Sequence, residues 1–405
     1  MEQALTGVRV LDLSGNVAGA YGAKLLADFG AEVLKVEPPE GDHLRRLGPF
    51  PGDIPNPEKS GLFLWLNLNK QGITLDVCTA TGLELLRRLV AQADILISTF
   101  PPGEVEGLGL TYDSLAPYNP AIVVAAITPF GMAGRYRDYR ATEIVLDAWG
   151  HAMSSTGAPD REPLKIGGFL RHYFTGQVVA VAALGAEMEA ELSGRGQMLD
   201  ISMMDVQAGS IDRRSTYLLR YQYLGEIVSR ESARMRVGNV QFGFHPCKDG
   251  WVSGGISPFS WPKFCNMLGH PEWATDPRYN PIREKMESGA VQEELEGHFL
   301  HWLMQRTRAE VFEEAKRFKV EIFPVNTFGD LIHDKLWQER NFWVEAEHPE
   351  AGKLTNPGGP FEMGEGGFAL RRPAPTLGQH NTELYCGQLG LSPADLANLS
   401  QQGVI

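Results

Sequence analysis

The strongest constraint on the fold lies in the first 130 residues, where short apolar runs alternate with helical patterns. Arg9–Leu13 reads as a strand, Ala18–Phe29 as an Ala/Leu-rich helix and Ala31–Val36 as a second strand. Ile73–Val77, Ile95–Ser98 and Ile122–Ile127 continue the strands, with a helix at Gly82–Gln92 between the first two. Strands separated by helical crossovers pair in parallel, so the spacing predicts a mostly parallel, doubly wound α/β sheet. Helical patterns at Glu143–Ser154 and Val178–Glu191 and a strand at Gln197–Ser202 extend it. After about residue 225 the character changes. Short strands around Gly243–Pro246 and Gly250–Gly254 precede Trp- and charge-rich helices at Trp261–Leu268, Val291–Arg306 and Arg308–Arg317, which reads as a smaller α+β domain. Pro349–Leu370, dense in Gly and Pro, reads as loops and turns. The predicted division is 1–225 for the N-terminal part of a large domain, 226–330 for the small domain and 331–405 for a segment completing the first. A chain of 405 residues has room for two or three cores.

Composition narrows the function classes. With 37 Lys and Arg against 50 Asp and Glu, the net charge is −13, which disfavours phosphate backbones and anionic lipid surfaces as partners. No run approaches the roughly 18 apolar residues of a membrane helix, and Met1–Gly7 lacks a signal-peptide pattern, so a cytoplasmic location without nucleic-acid or membrane partners is expected. Cys78, Cys247, Cys265 and Cys386 form no CxxC pair. His298 and His301 lack a third ligand, so no metal is expected. Gly15, Gly19 and Gly22 sit at the first strand-to-helix turn, but their spacing is not the G-x-G-x-x-G of dinucleotide sites. Glu37 ends the second strand, where a ribose-binding acid could sit. The bland reading is that the glycines only let helix and strand approach closely.

Several segments carry a resemblance: LTGVRVLDLS (5–14), LLADFGAEVLKVEPPEGDHLR (25–45), LNLNKQGITLDV (66–77), FPPGEVEGLGLTYDSLAPYNPAIV (100–123), SGRGQMLDISMMD (193–205), HPCKDGWV (245–252) and LGQH (Leu377–His380). In this order they resemble the class III CoA-transferases, the CaiB/BaiF family, over nearly the whole chain. The resemblance implies a Rossmann-like large domain, a small domain, and two interlocked protomers. It also implies CoA thioesters as substrates and no bound cofactor. In the family mechanism an aspartate attacks the acyl-CoA thioester, giving a mixed anhydride and CoA thiolate. The thiolate attacks the anhydride, leaving the CoA as an aspartyl thioester, and the incoming acid reverses the sequence.

That aspartate lies four residues before a glycine. Counting back from Gly176 in RHYFTGQ gives His172, so no catalytic residue is expected here. A racemase-type histidine earlier in the chain corresponds to Ala148, with His151 three residues on. By the same resemblance Pro38 and Gly107 stand where phosphate-contacting arginines are expected. Arg140, Glu143, Met203, Val17 and Phe100 keep places that contact CoA, and Arg135 and Arg137 lie nearby. The framework without its nucleophile resembles the aspartate-lacking subunit of benzylsuccinate CoA-transferase, of anaerobic toluene degradation. That implies a paralogous, aspartate-bearing partner and succinyl-CoA as donor. The alternatives are a homomeric CoA-dependent lyase, isomerase or racemase using His172 and Glu143, and a non-catalytic CoA-binding scaffold.

Overall fold

The apolar strands of the first 130 residues do pair in parallel. A computed structural model describes residues 2–209, 213–228, 230, 235–237, 240–254, 259–279 and 289–405. It divides into two compact units: 1–152 with 165–227 and 338–405, and 153–164 with 228–337. The excursion 153–164 into the second unit has no counterpart in the sequence reading.

In the first unit, β1 (Arg9–Leu13), β2 (Glu32–Glu37), β3 (Gln71–Thr74), β4 (Ile95–Ser98), β5 (Val123–Thr128) and β6 (Met198–Ser202) form a parallel sheet of order β3-β2-β1-β4-β5-β6. Both faces are covered. Leu11, Leu34, Ile73, Leu96 and Val124 point into one core. Their neighbours Val10, Val33, Ile95, Ile97 and Val123 point into the other. Alternate side chains of buried strands face opposite layers, which explains the continuous apolar runs.

Helix α1 (Val17–Asp28) follows β1 and is capped by Asn16, whose side chain accepts from the amides of Ala18 and Gly19. The shorter helices are α2 (Gly61–Leu66), α4 (Pro102–Gly107), α5 (Tyr112–Leu115), α6 (Glu143–Trp149) and α8 (Met203–Ala208). The longer ones are α3 (Ala80–Val90), α7 (Leu170–Ser193) and α9 (Arg213–Leu224). Glycines set the α1–α7 crossing. A Cβ at Gly176 would lie 2.7 Å from the Ala18 carbonyl oxygen and 3.1 Å from the Gly22 nitrogen. One at Gly19 would run into Ser14 and Thr99, so the close-approach reading holds at Gly19; at Gly22 the close neighbours are Val179 and Gly176 of α7, and a Cβ at Gly15 would meet nothing within 4 Å.

Three elements depart from the sequence reading. The helix expected at Glu143–Ser154 stops at Trp149, because Gly150 closes it and His151 takes a left-handed φ of 72°. Helix α7 begins at Leu170, not Val178: its first amides are capped by Glu143 from α6, a tertiary contact that local sequence does not reveal. The Gly/Pro-rich stretch after Pro349 contains β12 of the hairpin β11 (Trp343–His348) and β12 (Gly352–Pro357). There Gly352, at φ 74°, makes the turn that the glycine count suggested, but strands flank it.

The second unit contains an antiparallel sheet of β7 (Met235–Val237), β8 (Val240–Cys247), β9 (Gly250–Gly254) and β10 (Ile322–Pro324). Helices Trp261–Leu268, Gly289–Met304 and Arg308–Phe318 bury Phe264, Leu303 and Val311 with Val252 and Ile322. His298 packs edge-on against the stacked pair His270–Trp273, and among the described residues no cluster could hold a metal ion.

Candidate functional site

All the strands of the parallel sheet end on one edge, and its order reverses between β1 and β4. In open α/β sheets that switch point is where ligands enter. Here it opens into a 320 Å³ cavity lined by Ser14, Gly15 and Asn16 after β1, Pro38 after β2, Asp76 and Cys78 after β3, and Thr99 and Phe100 after β4. The Gly15 amide donates to Thr99 Oγ1 at 2.8 Å, tying the β1 and β4 loops together.

The cavity floor is charged but internally paired. Lys35 lies between Asp42 (2.6 Å) and Asp12 (4.0 Å) and donates to the Ser14 carbonyl. Lys70 reaches Asp12 at 2.8 Å and also donates to Ala20 and Asn67. Burial alone would lift the Asp12 carboxyl, but Lys35 and Lys70 outweigh it and hold it below the usual range. Burial, helped by Lys35, pushes Lys70 down to about 8 against the pull of Asp12. Glu37 turns away from the cavity and takes Arg45 bidentately at 2.6 and 2.8 Å, so it is not placed as a ribose acceptor.

The second constellation gathers at the first turn of α7. The Glu143 Oε1 atom accepts from the amides of Arg171 (2.7 Å) and His172 (3.3 Å) and lies 3.3 Å from His172 Nδ1. Lys165 Nζ stands 3.2 Å from the other carboxylate oxygen. Burial would raise the Glu143 carboxyl, but hydrogen bonds from His172, Lys165 and the two amides hold it below its ordinary value. Behind it Arg171 is buried against Asp147 at 2.5 Å, and Gln207 donates to the Leu146 carbonyl. The Tyr173 ring packs with Tyr21 and Trp65, and burial pushes its phenol up to about 12.

The expected site residues fall into two groups along this edge. Phe100 and Pro38 line the switch-point cavity, whereas Val17, at the start of α1, does not and is buried against Leu44 and Phe63. Glu143 and His172 are in contact at α7. Arg140 is exposed just before α6, and Met203 is buried at the start of α8. Gly107 ends α4 with open space beside it. Arg137 pairs with Glu106 at 2.9 Å, and Arg135 lies over the Tyr136 ring. His151 packs edge-on to Tyr217. Sequence reasoning missed Lys165, Arg171, Asp147 and the Asp12–Lys35–Lys70–Asp42 floor. The only available signal was polar residues interrupting apolar runs, as in LDLS and EVLKVE.

The profile of CoA-transferase family III matches residues 5–381. Formyl-CoA:oxalate CoA-transferase of Streptomyces avermitilis is 31% identical, over 100% of each chain. The BbsE subunit of succinyl-CoA:(R)-benzylsuccinate CoA-transferase of Thauera aromatica is 29% identical, over 100% of this chain and 99% of that one. A crystal structure of a CaiB/BaiF family protein from Brucella suis superposes with a TM-score of 0.85 at 28% identity, covering 96% of this chain and all of that one. The chain therefore belongs to CoA-transferase family III, the CaiB/BaiF family, whose members take CoA thioesters as substrates and need no further cofactor.

Proposed function

We propose that this chain is the nucleophile-lacking subunit of a heteromeric class III CoA-transferase acting in the cytoplasm. A paralogous, aspartate-bearing subunit supplies the chemistry, with succinyl-CoA as donor and a carboxylic acid such as benzylsuccinate as acceptor. The observation that carries the reading is His172 in the first turn of α7, its ring against Glu143. The similarity to the BbsE subunit supports the partner and the substrate pair.

The chemistry excludes a simple swap. An imidazole that attacks the thioester carbonyl of an acyl-CoA forms an acyl-imidazole as the carbon–sulfur bond breaks and CoA thiolate leaves. No carbonyl carbon of the histidine itself remains for the thiolate to attack, so the CoA cannot be held as a thioester between half-reactions. The neighbouring carboxylate is committed too, since Glu143 caps two amides and faces Lys165. Arg140, Glu143, Met203, Val17 and Phe100 are the residues proposed to line what remains of a CoA site. With Pro38 and Gly107 at the places expected of cations, that site is weak.

The contact between His172 and Glu143 also favours a second reading. A carboxylate that orients an imidazole is how a general base is built, which suits a lyase or isomerase that moves a proton next to a thioester carbonyl. One experiment separates the two. The purified chain, incubated with succinyl-CoA, is expected to carry no CoA adduct by mass spectrometry. Co-expressed with its paralogue, the complex is expected to lose less than about tenfold in activity on His172→Ala, or roughly 1.4 kcal/mol. A CoA adduct trapped on this chain refutes the nucleophile-lacking reading. A loss of several orders of magnitude in an assembled complex refutes it in favour of the proton-transfer reading.

A further inference from the structure

The chain from 338 onward returns to the first unit, and two histidines tie it there through main-chain amides. His348 ends β11 and is 2% exposed. Its Nδ1 accepts from the amides of Glu350 at 3.2 Å and Ala351 at 3.1 Å, which closes the turn into β12. Two donors on Nδ1 place the ring proton on Nε2, a buried atom with no hydrogen-bond partner among the described residues. The hairpin so closed sets Ala351 and Leu354 against a cluster of Val17, Leu44 and Phe63, which Tyr173 also joins. Further along, His380 seals the open edge of the parallel sheet, where β3 is the last strand. The Gly72 amide donates to His380 Nδ1 at 3.0 Å, and the His380 amide donates back to the Gly72 carbonyl at 2.9 Å. Beside it the Thr74 amide donates to Asn381 Oδ1 and the Tyr385 hydroxyl donates to the Thr74 carbonyl. Between the two histidines, Arg45 donates to the Pro375 carbonyl at 3.0 Å and the Leu377 amide donates to Glu58 at 3.1 Å.

Both rings accept where they sit, and only a neutral imidazole accepts. A proton on Nδ1 would aim one N–H at another, breaking these bonds and leaving a charge without an acceptor. We infer that His348 and His380 form an acid-sensitive latch, which holds the return segment against the sheet edge and the site framework while neutral and releases it when protonated. Burial pushes both imidazoles below the usual histidine range, and their charged neighbours do not reverse it. At His348, Glu58 and Glu350 favour the proton and Arg45 opposes it. At His380, Glu383 favours it and Arg372 opposes it. Because the folded values are lowered, the latch is complete above about 6.5 and is lost as pH falls through them. A ring that titrates near 6.5 when released, and stays neutral while latched, raises the open population by up to about 25-fold between pH 7 and 5. Release loosens the packing around Val17 and Tyr173, next to position 172. The inference stands whether or not the chain is catalytically silent.

Hydrogen exchange of the full chain at pH 7 and 5, read by mass spectrometry and corrected for intrinsic rates, tests the latch. Amides of the β11–β12 hairpin and of β3 are expected to lose about tenfold in protection at pH 5, while those of β4 and β5 keep theirs. Asparagine places Oδ1 where the ring holds Nδ1, and it does not titrate. His348→Asn should abolish the acid loss in the hairpin and leave it at β3, and His380→Asn should do the reverse. Glu350→Gln, which removes a neighbouring acid and keeps the ring, should behave as wild type. Circular dichroism at pH 7 establishes that each variant is folded. Equal wild-type protection at the two pH values overturns the inference whether or not the variants fold. A wild-type loss that extends equally through β4 and β5 is global unfolding and overturns it as well. So does a folded Asn variant that keeps the acid loss in its own segment, or a Glu350→Gln variant that abolishes it.

Discussion

Replacing Glu143 separates its two duties, capping α7 and facing cations. Glu143→Ala removes a charged acceptor from the amides of Arg171 and His172 and strands the buried Arg171 amide. Hydrogen bonds to charged groups contribute about 1.5–3 kcal/mol and a lost cap about 1, so a destabilisation of about 3 kcal/mol is expected. Glu143→Gln keeps an oxygen for the amides and loses only the charge facing Lys165 and His172. Lys165 is 27% exposed and partly screened, so about 1 kcal/mol is expected. The pH dependence follows from the carboxyl being held below its ordinary 4.5 in the folded chain. As pH falls, the unfolded chain takes up the proton first. The charge therefore stabilises fully above 4.5, and that contribution is lost as pH falls through the lower folded value. Urea unfolding followed by circular dichroism at pH 7, 5 and 3.5 reads both effects. The gap between wild type and Glu143→Gln should be constant from pH 7 to 5 and close below. An Ala variant as stable as wild type at pH 7, or a Gln gap that widens in acid, refutes the capping argument.

Two further substitutions probe the framework around the site. Gly176→Ala places a methyl 2.7 Å from the Ala18 carbonyl oxygen, where only backbone can move. It should destabilise by about 1–3 kcal/mol despite a helix-propensity gain of up to about 1, and a neutral urea midpoint would contradict this. Arg45 is fully buried, holding Glu37 at 2.6 Å and Glu58 at 2.8 Å, with its guanidinium 3.8 Å over the Phe63 ring. Arg45→Met leaves the Glu37 charge unpaired, which should cost about 3–5 kcal/mol in the same assay. Adding Glu37→Gln should recover much of it, and a single variant losing under 1 kcal/mol would show that the pair is not needed.

The parallel sheet was legible because its signal is local. Apolar runs at Arg9–Leu13 and Ile95–Ser98 coincide with β1 and β4 residue for residue. The first turn of α7 was not legible, because its amides are satisfied by Glu143 from another helix, 28 residues upstream of Arg171. The charged floor under the cavity was hidden for a related reason. Lys35 and Lys70 read in sequence as ordinary polar positions of a strand and a loop, and only folding places both on Asp12. Position 172 was singled out only by the resemblance around Gly176, and the same glycine sets how closely α7 crosses α1.

These two observations bear on why an imidazole occupies position 172. The first turn of a long helix is an anion site: its unpaired amides and dipole favour one negative charge. In this chain Glu143 fills that place from outside the helix. An aspartate at 172 would bring a second carboxylate near the 3.3 Å at which the ring now stands, and two like charges so close raise the pKa of one of them. An imidazole adds no second anion and complements the first. The cavity at the switch point shows the same self-sufficiency, since Lys35 is matched by Asp12 and Asp42 and has no charge to offer a phosphate. The charged groups on this edge are thus turned toward one another, Glu143 toward His172 and Lys165 and Lys35 toward Asp12 and Asp42, so each is already neutralised within the chain.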